Sequence, residues 1–367
     1  MTVFDTVLKQ FKHPIIQAPM AGVQGAALAI AVARAGGLGS IPAAMLTLHQ
    51  LGSELQAMRD ADVGLYNINF FCHTLPDAAQ QPAQQAAWRS ALQPYYDAWG
   101  LVPPTQAGSA REPFSDATCD VLAAFEPPVV SFHFGLPSAA LVARVKRWGA
   151  CVLSSATTVA EAQWLAAHGA DAIIAQGLEA GGHRGIFLSN NPVKDLSNQM
   201  GLFSLLPQVV AAMGGKASGQ EGRGVPVIAA GGIASAAGVR AALSLGAVAV
   251  QVGSAFLQCD EASTSAVHRA ALRGEAGFDA RHTALTTLFT GRPARGIVNR
   301  AMCELGALNP GAPAFPMSTA LIAPLRAHAE AQGLGDFSPL WAGQHAAASQ
   351  AVPAAQVLAS LMQTDSA

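Results

Sequence analysis

One histidine behind a pair of glycines is the place in this sequence where chemistry is most legible. Residues 171–185, DAIIAQGLEAGGHRG, pass from a short β-branched apolar run into a glycine-rich turn that carries His183. The run 172–175 has the length and composition of a strand buried on both faces, and Gln176 stands where it ends. Ligands of parallel α/β folds collect at the carboxyl ends of the strands, so Gln176, Gly181, Gly182 and His183 occupy positions from which a site is built. Adjacent glycines permit positive φ and let a flat ligand approach the main chain. An imidazole there can titrate near neutral pH. Taken alone, G-G-H also describes an ordinary turn with a solvated histidine, and the rest of the chain has to decide between the two.

Two further turns point the same way. AAGGIAS and QVGSAF, at 229–235 and 251–256, each follow an apolar run. In parallel barrels the loops after the last two strands often hold a phosphate on unpaired backbone N–H groups, which is what Gly231, Gly232, Gly253 and Ser254 would supply. No G-x-G-x-x-G, no Walker sequence and no H-E-x-x-H occurs, so a phosphate-bearing cofactor with no metal is the expectation. IIQAPMAGV brings Met20 to the same rim, YNINFFCH ends a run near Asn69, and VVSFHFGLP adds a second imidazole, His133. Asn69 and Gln176 have amides able to read the edge of a heteroaromatic ring. Taken singly, Asn69 and Gln176 are more often strand-end caps, and His133 is equally at home as a satisfied core histidine.

Such groups need a scaffold, and the chain repeats one. Apolar runs at 14–18, 37–41, 63–69, 128–133, 151–155, 172–176, 225–230 and 248–253 alternate with Ala-rich stretches of helical spacing such as GAALAIAVARAG, TTVAEAQWLAAHGA and SAAGVRAALSLGA. Eight strand–helix units predict an α/β fold, a (β/α)8 TIM barrel. Residues 73–127 and 186–224 are too long for simple connections. The first is expected to hold extra helices; the second, with NNPVKD and GGKASGQEGRG, a mobile or covering loop. The expected division is a barrel at 1–258, a smaller, mostly helical, substrate-covering elaboration at 259–340, and a C-terminal helix within 341–367 that packs back on the barrel.

Of the 367 residues 51% are hydrophobic and only 12% charged, with a formal net charge of −2 and a mean hydropathy of +0.31. That balance supports a large core and offers no basic field for nucleic acid. No run approaches the roughly 18–20 apolar residues of a membrane span. MTVFDTVLKQFKHP has no apolar block or cleavage site of a secretory signal, so a cytoplasmic protein is expected. Five cysteines without C-x-x-C spacing are expected as reduced thiols.

Together QAPMAG, NINFF, VVSFHFG, AQGLEAGGHRG, AAGGIA, QVGSAF, GRPARGI and the late LWAGQ resemble the class I nitronate monooxygenases, formerly 2-nitropropane dioxygenases, over most of the chain. The combination is specific, whereas AGGH alone is shared with flavin-dependent enoyl-acyl-carrier-protein and quinone reductases. The resemblance implies FMN, contacted by Asn69, Gln176, Gly181, Gly232, Gln251, Val252, Gly253 and Ser254, with Met20 a further contact. It also implies His183 as catalytic base, a nitronate or nitroalkane and O2 as reactants, and one-electron transfer to flavin. His133 and His183, if protonated, would attract the nitronate's oxygens; His183, if neutral, would remove the α-proton of a nitroalkane. A monomer or homodimer is expected. Some bacterial members line the substrate pocket with tyrosines after GRPARGI, and here APAFPMSTALIAP offers Phe315 and no tyrosine, which leaves substrate preference open. The rival readings are an NAD(P)H-dependent flavin reductase and a catalytically idle flavin-binding barrel.

Overall fold

The computed structural model describes residues 2–76, 82–105, 111–214 and 224–363. Most of the loop GGKASGQEGRG lies outside them. Strands β1 Ile15–Gln17, β2 Gly39–Pro42, β3 Tyr66–Phe71, β4 Val129–His133, β5 Cys151–Ala156 and β6 Ala172–Gln176 are followed by a two-residue strand apart from the others, β7 Gly182–His183, and then by β8 Val227–Ala230 and β9 Ala249–Val252. All but β7 form one parallel sheet in the order β1-β9-β8-β6-β5-β4-β3-β2. Its two ends meet where Ile16 bridges Leu38, with Leu38 N donating to Ile15 O and Gln17 N to Leu38 O, both at 2.9 Å. The result is the expected (β/α)8 barrel.

Alternation along each strand sorts the side chains. In β6, Ala172 and Ile174 join Ile16, Leu38, Val129, Leu153 and Ile228 in one cluster, while Ile173 and Ala175 pack outward among the helices. Phe4 and Val7, from a helix Val3–Leu8 that the sequence pattern does not announce, belong to the first cluster as well. Helices Ala26–Arg34, Val159–Ala167 and Ala236–Ser244 follow β1, β5 and β8 as their spacing predicts. The first lies so close to β2 that a Cβ on Gly39 would stand 2.0 Å from Ala29 O, so only glycine fits. Of the expected strands that start late, two have a local cause. Gly64, at φ +68°, interrupts the run 63–69, and Pro226, which has no N–H to give the ladder, precedes β8.

The segment after β9 carries helices Ala266–Leu272, Arg300–Leu305, Thr319–Ala331 and Ala354–Leu361. It also carries a hairpin, β10 Thr283–Thr286 and β11 Ala294–Ile297, that the expectation of a mostly helical segment omitted. β11 pairs antiparallel with β7, Ala294 opposite His183, so the GRPARGI motif is the strand that holds the AGGH turn. Helix Pro82–Ala98, inside the long stretch before β4, packs on helix Thr319–Ala331 through Trp88, Leu92, Tyr96, Leu321 and Leu325. Val357, Leu358 and Leu361 of the last helix pack into the outer barrel core. Among the described residues no helix is long and apolar enough to cross a membrane.

Candidate active site

The carboxyl ends of the barrel strands, the AGGH turn and the segment 338–345 enclose one cavity of about 260 Å³. Met20, Asn69, His133, Gln176, Gly181, Gly182, His183, Gly231, Gly232, Gln251, Gly253 and Ser254 all line it. Val252 does not. Its side chain is buried in the outer core, as alternation requires of the residue after a cavity-facing Gln251. Its carbonyl is taken by Ala18 N at 2.8 Å, so the expectation of a Val252 cofactor contact is corrected.

At one end of the cavity lie the two glycine turns. Gly231 and Gly232 have φ +121° and +68°, values that favour glycine. Among the described residues no protein group accepts a hydrogen bond from the backbone N–H of Gly232, Ile233, Gly253 or Ser254. Ser254 Oγ is engaged, accepting from Gly343 N at 2.8 Å. Nearby, the Oε1 of Gln251 is buried without a donor, a cost of about 1–3 kcal/mol unless a bound molecule supplies one. Gly181 is explained by packing: a Cβ there would meet Gly343 N at 2.5 Å.

At the other end His183 sits in a box of rings, with centroids 5.9 Å from Phe71, 5.9 Å from Phe134, 5.4 Å from Phe315 and 5.6 Å from Trp341. Its carbonyl is clamped from two sides, by His133 Nε2 at 3.2 Å and Gln176 Nε2 at 3.0 Å. Gln176 Oε1 in turn accepts from Gly185 N at 2.9 Å, so both ends of this amide hold the turn. Arg184, fully buried, ties the turn to Gly177 O at 2.6 Å and Gln176 O at 2.9 Å. The His183 ring nitrogen Nε2 lies 2.9 Å from Thr290 Oγ1, whose hydroxyl donates weakly to Arg292 O at 3.4 Å. With the Thr290 hydroxyl directed at Arg292 O, Nε2 carries the proton and Nδ1 keeps its lone pair. Burial, followed by the charges of Arg111 and Arg292, pushes the imidazole well below its ordinary range, so it is neutral at pH 7.

His133 is differently placed from its expected role. Its Nδ1 accepts from Ser155 Oγ at 2.5 Å and its Nε2 donates to the His183 carbonyl. Burial pushes it down to about 3. A neutral ring with both nitrogens engaged is not a cation for a nitronate; what it does in this geometry is hold the His183 backbone. Asn69 likewise gives its amide to Ser131 Oγ at 2.9 Å. The site residues that sequence reasoning misses are Thr290, Arg111, Phe71, Gly343 and Trp341. For Thr290 a signal exists: TALTT and ARGIV flank the connection LFTGRP, which contains Thr290 and a Gly-Arg-Pro turn, a hairpin pattern. Arg111, in a polar connection, has none.

These histidines make stability depend on acid. Burial lowers His73 to about 4, His133 to about 3 and His268 to about 4. A histidine depressed in the folded state is charged more readily when unfolded, so its contribution is complete above about pH 6.5 and lost as pH falls toward the folded values. The urea midpoint, followed by tryptophan fluorescence, is expected to drop between pH 7 and pH 5 and to stay level between pH 7 and pH 8. A midpoint unchanged at pH 5 would show that these imidazoles are hydrated in solution.

A family model described as nitronate monooxygenase matches residues 4–364. The chain is 41% identical to a nitronate monooxygenase of Paraburkholderia phytofirmans, covering 95% of this chain and 91% of that protein. It is 40% identical to one of Pseudomonas aeruginosa, covering 99% of each. Among solved structures it resembles a nitroalkane oxidase from Streptomyces ansochromogenes at 37% identity, with a TM-score of 0.85 over 97% of this chain and 96% of the other. FabK from Thermotoga maritima, at 24% identity and a TM-score of 0.66 over 98% of this chain and 94% of the other, shares the fold.

Proposed function

The chain belongs to the nitronate monooxygenase family of flavoenzymes, and from that premise we propose that it uses FMN to oxidise alkyl nitronates, such as propionate 3-nitronate, with O2 to carbonyl compounds and nitrite. The observation that carries this reading is a single cavity with free N–H groups at one end and a neutral imidazole held by Thr290 at the other. The residues fit the cofactor. Gly231, Gly232, Gly253 and Ser254 would hold its phosphate on backbone N–H groups, and the orphaned Gln251 Oε1 suits a ring N–H. Met20, Asn69, Gly181 and Gly182 would complete the wall. When bound, FMN supplies the electron acceptance and oxygen reactivity that no side chain has.

The protein's own contribution is positioning and one proton. Neutral His183, held through Nε2 by Thr290 and through its carbonyl by His133 and Gln176, presents Nδ1 as a base for the α-proton of a nitroalkane. A nitronate, already ionised, needs no base. Phe71 and Trp341, which line the cavity beside His183, would keep water from the reacting carbon. In this proposal residues 1–258 form the cofactor-binding barrel and 259–340 cover the substrate end, with β11 as the strand that fixes His183.

Purified protein is expected to be yellow and to release FMN, not FAD, on denaturation, because the cavity has a phosphate end and no second dinucleotide motif. A colourless protein that takes up no FMN would sink the assignment. Rapid bleaching of the flavin by NADH or NADPH, with no response to propionate 3-nitronate under anaerobic conditions, would replace it with a reductase.

A further inference from the structure

With both nitrogens of His133 engaged, something else must meet the negative charge of the substrate. Two arginines line the cavity, Arg111 and Arg326. Arg326 has a carboxylate partner, its Nε lying 2.8 Å from Glu330 Oε1. Among the described residues the Arg111 guanidinium has no carboxylate or carbonyl partner, and it sits over the Phe315 ring at 5.7 Å, the ring that also packs against His183 at 5.4 Å. Its backbone is fixed by His73 Nε2, which donates to Arg111 O at 2.9 Å. Burial and the nearby Arg326 lower its affinity for its own proton, as for a cation short of a counter-ion. An unpaired, partly buried guanidinium at the wall of a reaction cavity is costly unless an anion arrives.

We propose that Arg111 is the residue that docks the substrate's anionic head, the two oxygens of the nitronate group, against the aromatic box beside His183. The guanidinium fork matches a planar pair of oxygens on one atom, as it does a carboxylate. The contact also serves neutral nitroalkanes. When His183 Nδ1 takes the α-proton, the C–H electron pair becomes the C=N bond and the N=O π pair moves onto oxygen, where Arg111 stabilises the developing charge. Arg111 is thereby a catalytic residue for nitroalkanes and a specificity residue for nitronates. The inference rests on the nitronate oxidation proposed above for its reaction, but not for its binding.

The test uses the flavin-loaded enzyme and its Arg111→Gln and Arg111→Lys variants, each first checked for flavin content and melting temperature. Binding is read with nitrate, a planar oxyanion of nitrogen, by calorimetry; turnover is read with propyl-2-nitronate, propionate 3-nitronate and neutral 2-nitropropane. Expected for Arg111→Gln are nitrate affinity weakened about 10- to 100-fold, KM raised by a similar factor on both nitronates, and kcat lowered on 2-nitropropane. Arg111→Lys, which keeps the charge without the fork, should recover part of each loss. A loss confined to propionate 3-nitronate would overturn the proposal in favour of a contact to the appended carboxylate. Unchanged nitrate affinity and KM would overturn it outright. Arg111-dependent nitrate binding in an enzyme that oxidises no nitronate would instead leave the anion site standing and remove the function.

Discussion

Replacing His183 with asparagine is expected to lower turnover of neutral nitroalkanes by about 10²- to 10⁴-fold, the usual contribution of a general base, and largely to spare preformed nitronates. The difference follows from the substrate: a nitronate has no α-proton left to remove. The structure sharpens the expectation, because burial and the cationic neighbours hold this imidazole well below its ordinary range. The free base therefore predominates from neutral pH upward, and the acid limb of kcat/KM for a nitroalkane should fall well below pH 6.5 in the wild type. Asparagine removes the ring while leaving the backbone carbonyl that His133 and Gln176 grip, so flavin content should be retained and can be checked by absorbance. Equal losses on the two substrate forms would make His183 an orienting residue. No loss on either would leave the turn with a structural role only.

The barrel is legible because its strands are short runs buried on both faces, punctuated by glycine. The run 172–176 coincides with β6, and the turns at 231–232 and 253–254 fall at the carboxyl ends of β8 and β9. What cannot be read is whatever depends on residues far apart in the chain. GRPARGI is recognisable as a motif, yet nothing local says that Ala294 pairs with His183 across more than a hundred residues. The tautomer of His183 depends on Thr290, and the unavailability of His133 on Ser155. Both are hydrogen bonds made only once the barrel and the hairpin exist, and on them rests the proposal that His183, not His133, is the base. Val252 is a different case. The alternation that puts Gln251 in the cavity sends the next side chain outward, so strand periodicity already argues against a side-chain contact of Val252 with the cofactor.

Glycine at 253 gives the sharpest test of the phosphate end, because space and chemistry can be separated there. At Gly232 a new side chain meets an unfavourable φ of +68° and the Glu179 Cβ at 3.2 Å, so loss of flavin in a Gly232 variant would mix strain with repulsion. Gly253 has φ −110° and ψ −78°, at the margin of the right-handed region but without the positive φ that favours glycine, and a Cβ there would meet only Ala18 Cβ at 3.4 Å and Met20 Sδ at 3.7 Å. Gly253→Ala should therefore fold and retain most of its flavin. Gly253→Glu should fold with a melting temperature close to that of the flavin-free wild type and bind no FMN, since a carboxylate is set beside N–H groups that would hold a dianion and repels it at short range. Gly253→Gln, similar in size and uncharged, should fall between the two. Stoichiometric flavin in Gly253→Glu would place the phosphate elsewhere. A glutamate variant that fails while alanine and glutamine variants bind fully would identify charge, and not bulk, as what this turn excludes.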